Sequence, residues 1–406
     1  MPINRRRFLK LASSYVIGSA IAERLLATHA LADSVTLPFE NGERELIAYP
    51  QKRALMRLTS RPPQLETPFC IFNESVITPN DAFFVRYHLS GIPTEIDPAN
   101  YRINIHGLVS TPLSLSLADL KQIADPVDLI AVNQCSGNSR GFFSPRVPGG
   151  QLGNGAMGNA RWTGIPLNKI LKKAGLLKGA KQVRFKGLDT APLAATPAFI
   201  KALDIDHALD GEVMIAFAMN GEDIPMLNGF PVKLIVPGYY GTYWIKHLTD
   251  IEVIDHTFDG FWMKTAYRIP DNPEHAVAPG QVPAKTIPIN RMNVRSFITS
   301  LSEGSILTAN RETILKGIAF DGGEGIKTVL VSTDAGKSWK DAFLDKDHGR
   351  YSFREWKLAF TPPSAGQYTL LVRAVNKVGA TQPSTPLWNP PGYMRNVTES
   401  LHIRAV

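Results

Sequence analysis

Cysteine is almost missing from this chain. Cys70 and Cys135 are the only two in 406 residues, which excludes a fold built on disulfides. Long apolar runs are missing too. The longest near the start, residues 11–22, falls short of the roughly 20 residues a membrane-spanning helix requires. No GxGxxG and no GxxxxGK[ST] occurs, so neither a dinucleotide-binding turn nor a phosphate-cradling P-loop has support. There is no Cys-x-x-Cys-His, hence no covalently attached haem. Internal repeats, low-complexity segments and long basic runs are absent as well, and the aromatics are scattered, which argues against nucleic acid as a partner.

What is present begins with an address. Asn4-Arg5-Arg6-Arg7-Phe8-Leu9-Lys10 matches the twin-arginine pattern, an apolar run follows, and Ala30-Leu31-Ala32 has the small-x-small form of a cleavage site. Residues 1–32 therefore read as a signal for export of an already folded protein to the periplasm. Cleavage after Ala32 would leave no membrane anchor. The formal charge of +8 belongs partly to this segment. It holds five basic residues against one acid, leaving +4 on the rest. That mild excess suits attraction of a small anion or an acidic redox partner.

Residues 33–80 read as an extended, proline-marked lead-in. Beyond it, residues 101–105 alternate as a strand, Ser116 through Asp119 form a capped helix start, residues 127–132 and 183–187 read as strands, and residues 166–174 as a short helix. Residues 232–237 form a buried strand leading into the turn 237–241. Five prolines between 270 and 288 mark a linker. After it come short strands at 295–301, 314–320, 328–333, 356–360 and 368–375, with hairpin-like turns at 334–339 and 361–366, a pattern of an immunoglobulin-type β-sandwich without its disulfide. The expected fold class is α+β, with a catalytic domain over 33–285 and the sandwich over 286–406.

Cys135 lies in Asn133-Gln134-Cys135-Ser136-Gly137-Asn138-Ser139-Arg140, just after an apolar run. Its thiolate suits a soft metal, and Arg140, five residues on, suits bidentate contact with an oxyanion. The segment alone leaves open a small buried thiol. Arg86 and His88 fall on one side of an extended segment. Lys233 and Lys246 flank the turn 237–241, and read singly they are equally good as surface charges. Cys70, between Phe69 and Ile71, reads as a small buried residue, and a Cys70–Cys135 bridge is the lesser alternative.

Together these segments resemble the sulfite oxidase family of molybdopterin enzymes over nearly the whole chain beyond the leader. The markers are Phe-Val-Arg-Tyr-His at 84–88, Gln-Cys-Ser-Gly-Asn-Ser-Arg at 134–140, Gly-Asn-Ala-Arg-Trp-Thr-Gly-Ile-Pro-Leu at 158–167 and Met-Asn-Gly at 219–221. Asn-Gly-Phe-Pro-Val-Lys at 228–233, Val-Pro-Gly at 236–238, Trp-Ile-Lys-His-Leu at 244–248 and Asn-Pro-Pro-Gly-Tyr-Met-Arg-Asn at 389–396 complete them. The resemblance implies that Cys135 is the protein ligand of molybdenum and that Arg86 and Arg140 are paired substrate arginines. It implies Tyr267 as the active-site tyrosine, with Tyr240 competing for that role. Tyr87, His88, Asp189, Asn228, Lys233, Tyr240, Gly241 and Lys246 fall at the pterin-binding positions. Vertebrate-type members carry histidine and arginine where Asn228 and Lys233 stand, and animal members carry a fused haem domain that this chain lacks. The implied activity is oxidation of sulfite to sulfate, with a c-type cytochrome as external electron acceptor and a homodimer formed through 286–406. Two relatives of that function remain open: a sulfur-compound dehydrogenase of a thiosulfate-oxidising complex, and a methionine-sulfoxide reductase, which the C-terminal sandwich disfavours. The reading of a different class is a non-catalytic periplasmic binding protein.

Overall fold

The computed structural model describes residues 34–406, so the export signal at 1–32 lies outside the described residues. Within them, no helix is long and apolar enough to cross a membrane. Strands dominate and the helices are short, the longest being Leu167–Ala174. That helix buries Leu167, Ile170, Leu171 and Ala174 on one side and stops at Gly175, whose φ of 71° is a left-handed cap. Ser116 caps Leu117–Lys121 reciprocally with Asp119, as the Ser-x-x-Asp spacing foretells.

Two five-stranded arrangements carry the middle of the chain. In one, Glu222–Asp223, Met214–Met219, Met157–Pro166 and Val127–Gln134 lie side by side, with Lys233–Ile235 added to Met214–Met219. In the other the order is Ile200–Asp204, Gln182–Gly187, Leu248–Ile254, Ile103–Gly107 and Leu113–Leu115. Here Leu248–Ile254 and Ile103–Gly107 run parallel. Trp162 is wholly buried in the core the two share. Its indole N–H donates to Ala131 O at 3.2 Å, and its ring meets Phe83 and Trp244 edge-on at 5.9 and 5.6 Å.

The first segment corrects the sequence reading. Residues 33–80 are not an extended lead-in. Ser34–Thr36, Glu43–Tyr49, Lys52–Ser60 and Pro63–Glu66 form an antiparallel sheet closed by Val85–Arg86. Its turns carry the prolines, which hide the strands from a pattern search, and its small core (Leu55, Leu65, Val85, Tyr87) needs few apolar residues. Cys70 is corrected too. It is exposed in the short helical turn Phe69–Asn73, whose buried side is Ile71 and Phe72, and both cysteines are free thiols.

The C-terminal part is a two-sheet sandwich. Arg295–Ile298, Thr313–Phe320, Arg354–Phe360 and Phe343–Leu344 make one sheet. Ile306–Leu307, Glu399–Ala405, Gly366–Asn376, Ile326–Ser332 and Lys340–Asp341 make the other. Gly366–Asn376 shows the alternation a half-buried strand requires, with Leu370, Val372 and Ala374 turned inward onto Trp356 and Leu315. The turn at 334–339 is a hairpin as expected. The one at 361–366 instead carries the chain from one sheet to the other, because its flanking strands pair with different neighbours. The proline-marked linker is also not wholly irregular, since Arg268–Pro270 and Thr286–Pro288 pair at its ends.

The seam between the parts is polar and buried. Arg295, with no exposed surface, donates to Ser139 Oγ at 3.0 Å and to Glu399 Oε1 at 2.6 Å, and Arg395 reaches the same carboxylate at 3.0 Å. A buried guanidinium left without its anion costs several kcal/mol. Glu399→Ala should therefore cost about 3–5 kcal/mol, read as a lower urea or thermal unfolding midpoint. A midpoint like wild type's would show that the pair holds nothing.

Candidate active site

Val127–Gln134, the edge strand of its sheet, delivers Cys135 to a cavity enclosing about 650 Å³ of atom-free space including its open mouth. The thiol is 8 % exposed, and its backbone N–H donates to Ala156 O at 2.9 Å. The loop that follows is tied on two sides. Ser139 N and Gly141 N donate to Gly153 O and Leu152 O, while Met394 N, from the sandwich, donates to Ser136 O. The segment 151–155 is held in turn by Glu66, a wholly buried carboxylate that accepts from Gly153 N and Gly155 N at 3.1 and 3.2 Å. Burial lifts the Glu66 carboxyl to about 7 against the pull of those two N–H groups and of Arg44.

Most of the residues expected from the sequence converge here. Arg86, Tyr87, His88, Cys135, Asp189, Asn228, Lys233, Gly241, Lys246 and Tyr267 all line the cavity. Arg86 is set by the last strand of the N-terminal sheet, and its guanidinium donates to no described residue. Tyr87 Oη meets His247 Nε2 at 2.7 Å. His88 Nε2 lies 2.5 Å from Tyr267 Oη, with its ring flat on Phe199 at 3.7 Å. Burial, then the neighbouring Arg86, Lys246 and Lys201, push His88 well below its ordinary range, so it is neutral at neutral pH. Burial raises Tyr267, opposed by Arg86. Tyr267 also has a φ of 58°, a left-handed backbone held by the bond from Ile289 N to Tyr267 O at 2.8 Å. For a residue with a bulky side chain that conformation is rare and costs about 1–3 kcal/mol.

Two expected residues do not present their side chains to the cavity. Tyr240 is wholly buried, and its hydroxyl faces the seam, where it accepts from Asn293 N at 3.4 Å. The turn it begins reaches the cavity through Gly241 instead. Of the two candidate tyrosines, then, Tyr267 is the one at the thiol. Arg140 is buried behind the wall. Its Nε donates to Pro391 O at 3.1 Å and its Nη1 to Gly150 O at 3.2 Å, and the guanidinium packs against Gly137 and the ring of Tyr393.

The cavity's polar atoms are unfinished. Asn133 Oδ1, Ser136 Oγ and Thr242 Oγ1 are buried without a hydrogen-bond partner. Lys233, 1 % exposed, has an ammonium that makes no hydrogen bond to a described residue and lies over the rings of Trp162 and Trp244 at 4.9 and 5.6 Å. Burial lowers its ammonium to about 7. Lys246 donates to Arg86 O and sits 3.6 Å from the Tyr87 ring centre. It is pushed well below its ordinary value by burial, then by Lys233. Against Arg86, Lys233 and Lys246 stands one acid, Asp189. Buried cations and orphaned polar atoms in such numbers call for an anionic, polar occupant. A phosphorylated pterin bearing molybdenum on a thiolate fits this donor set: Cys135 as soft ligand, the lysines and the Gly241 turn as the anion cradle.

The sequence reading missed the supports. Lys52, in the N-terminal sheet, donates to Asn80 O, Phe83 O and Asn228 Oδ1 and so orients Asn228, whose amide N–H donates to Phe84 O at 3.0 Å. Lys201, with no exposed surface, donates to Trp262 O at 2.7 Å and lies 5.4 Å from the Tyr267 ring. Nothing in an isolated lysine signals such burial. Asn133, Ser136 and Thr242 were legible as neighbours of motif residues.

Two outcomes follow from this geometry. A Cβ on Gly241 would meet Asn133 Oδ1 at 2.3 Å, so Gly241→Ala should lose cofactor retention, measured as metal per purified chain. Lys52, Lys201 and Lys233 are each lowered to about 7, whereas the unfolded chain keeps its lysines protonated to about 10.4. Between these values the unfolded state binds more protons, so the cofactor-free protein should become more stable from pH 7 to 9 and lose that gain as pH falls through about 7. Glu66 works the other way, its contribution fading as pH rises to about 7, before this window opens. A thermal unfolding midpoint flat from pH 7 to 9 would refute the lysine burial.

Residues 88–262 match the family described as the oxidoreductase molybdopterin binding domain, and residues 286–405 match the Mo-co oxidoreductase dimerisation domain. The chain is similar to the mitochondrial sulfite oxidase of Rattus norvegicus, 31 % identical over 99 % of this chain and 73 % of that one. The sulfite oxidase of Arabidopsis thaliana is 28 % identical over 88 % of this chain and 96 % of its own. Among solved structures, the sulfane dehydrogenase SoxCD from Paracoccus pantotrophus superposes with a TM-score of 0.72 at 23 % identity, covering 92 % of this chain and 88 % of that one, a likeness of fold. With a thiol, two lysines and a free arginine converging on one cavity, and with these matches along its length, the chain belongs to the sulfite oxidase family of molybdenum–molybdopterin oxidoreductases.

Proposed function

We propose that the protein oxidises sulfite to sulfate in the periplasm and passes the two electrons, one at a time, to a c-type cytochrome. On this reading it is exported folded by the twin-arginine route, with residues 33–285 as the catalytic unit and 286–406 joining two copies. The observation that carries the proposal is the free guanidinium of Arg86 in the same cavity as Cys135, with Tyr267 Oη and His88 Nε2 hydrogen-bonded beside it. The relatives at about 30 % identity that bear the name sulfite oxidase support the same substrate class.

The molybdenum–pterin group supplies, when bound, the two-electron redox change and the oxygen that sulfite acquires. The chain does the rest. Cys135 Sγ holds the metal as a thiolate, which donates electron density to a high-valent ion. Lys233, Lys246 and the Gly241 turn neutralise the anionic end of the pterin, and Asn228, fixed by Lys52, contributes a polar edge. Arg86 attracts the sulfite dianion through its guanidinium, whose fork matches an oxyanion. Neutral His88 accepts a hydrogen bond from Tyr267 Oη at Nε2 or donates one to it, according to its tautomer. Either way the pair stays uncharged, and it orients the phenol toward the substrate oxygens without competing for the anion. The net change is sulfite plus water to sulfate, two protons and two electrons.

Purified mature protein should hold about one molybdenum per chain, as the single thiolate ligand site implies, and should reduce ferricyanide or cytochrome c when sulfite is added. Cys135→Ser should keep the fold and lose turnover. Molybdenum-loaded protein that is inert toward sulfite but active on another reduced sulfur compound would move the assignment to a sulfur-compound dehydrogenase. Correctly matured protein without molybdenum would end it.

A further inference from the structure

A residue of the sandwich backs the wall of the cavity, through its stack on Tyr267. Tyr393 belongs to the segment 389–395, a turn locked by Asn389, whose Oδ1 accepts from Tyr393 N and whose Nδ2 donates to Tyr393 O, both at 2.9 Å. The same segment is bonded to the Cys135 loop through Met394 N to Ser136 O at 3.2 Å and Arg140 Nε to Pro391 O at 3.1 Å. It also approaches so closely that a Cβ on Gly392 would meet Arg140 Cγ at 3.0 Å. The turn thereby presents the Tyr393 ring to two residues at once. It stacks on Tyr267 with ring centres 5.3 Å apart and planes 6° from parallel, and the Arg140 guanidinium carbon lies 5.1 Å from its centre. Tyr267 lines both the inner cavity and an outer cleft, and Tyr393 lines the outer cleft beside Arg268 and Trp388. The stacked pair stands between the inner cavity and the outer cleft.

We infer that Tyr393 is a positioning residue of the substrate site, by which the sandwich acts on the cavity: its ring, braced from behind by the Arg140 guanidinium, fixes the Tyr267 phenol relative to Cys135. The inference rests on the reading of this cavity as an oxyanion site. Two features set it apart from ordinary packing. Arg140 has spent Nε and Nη1 on carbonyls, so its remaining orientation depends on the face it lies against. Tyr267, in a strained backbone conformation, depends on its neighbours to hold its ring. A displaced Tyr267 phenol would weaken capture of the dianion more than the redox step, because on this reading it is aimed at the substrate oxygens.

The test uses full-length mature holoenzyme and compares Tyr393→Phe with Tyr393→Leu. The phenylalanine variant keeps the ring and should behave like wild type. The leucine variant should raise the KM for sulfite about tenfold, the worth of one desolvated cation–ring contact, with kcat changed by less than about threefold. Molybdenum content and unfolding midpoint should stay at wild-type values. In a double-mutant cycle with Arg140→Lys, the two effects on KM should not multiply. A leucine variant with unchanged KM, or effects that multiply, would overturn the inference. Should that variant fail to fold or to load metal, Tyr393→Met, which fills similar volume without a flat ring, decides in its place. Wild-type protein that turns over no sulfite would sink the substrate reading instead. The cycle is then read on calorimetric binding of sulfate, where coupling upholds the positioning role, while additivity or no binding overturns it.

Discussion

The loop from Cys135 to Arg140 is suspended by backbone hydrogen bonds from two bodies, and the site exists only where both hold it. Segment 151–155 grips it from one side, through Gly153 O and Leu152 O, and is itself pinned by the buried Glu66 carboxylate. The sandwich grips it from the other, through Met394 N, Pro391 O and the buried Arg295 at Ser139 Oγ. A short loop with few apolar side chains has little of its own to order it. Ser139 even sits in the left-handed region, at φ 68°. Its geometry is therefore a property of the assembled chain, and the thiol cannot be placed without the second part of the molecule.

Electrostatics adds a second constraint. A cavity lined by Arg86, Lys233 and Lys246 against a single Asp189 is costly to close without an anion inside it. Burial lowers the lysines, so the polypeptide alone relieves the charge by shedding protons, and an anionic occupant restores them. Folding, occupant binding and proton uptake are in this way linked. A chain exported only after it has folded around its cofactor would cross the membrane with this cavity already neutralised.

Legibility from the sequence varied with the range of the interactions involved. Arg86 with His88, Gln134 through Arg140, and Lys233 with Lys246 were readable through the family resemblance that their motifs carry; local pattern alone put Arg86 and His88 on one side of a strand and left the lysines equally good as surface charges. The sheet at 34–66 was not, because its strands have scarcely any core and its turns carry the prolines that signal breaks. Cys70 was misread for a similar reason. Its apolar neighbours Phe69 and Ile71 are no guide in a 3₁₀ turn, where successive residues point in different directions. Tyr240 and Arg140 were placed correctly along the chain but not in depth. The first turns to the seam and the second lies behind Tyr393.

By itself the sequence determined the α+β class and the sandwich that follows it, since alternation and turn chemistry are local and survive without knowledge of contacts, and its motifs carried the resemblance that marked Cys135 and Arg86. Only the tertiary structure decided that Tyr267 rather than Tyr240 faces the thiol, that Lys52 and Lys201 are buried supports, and that Tyr393 arrives from the other part of the chain. Each of these depends on which surfaces, far apart along the chain, come to meet. Burial and charge compensation are properties of that meeting, and no stretch of sequence carries them alone.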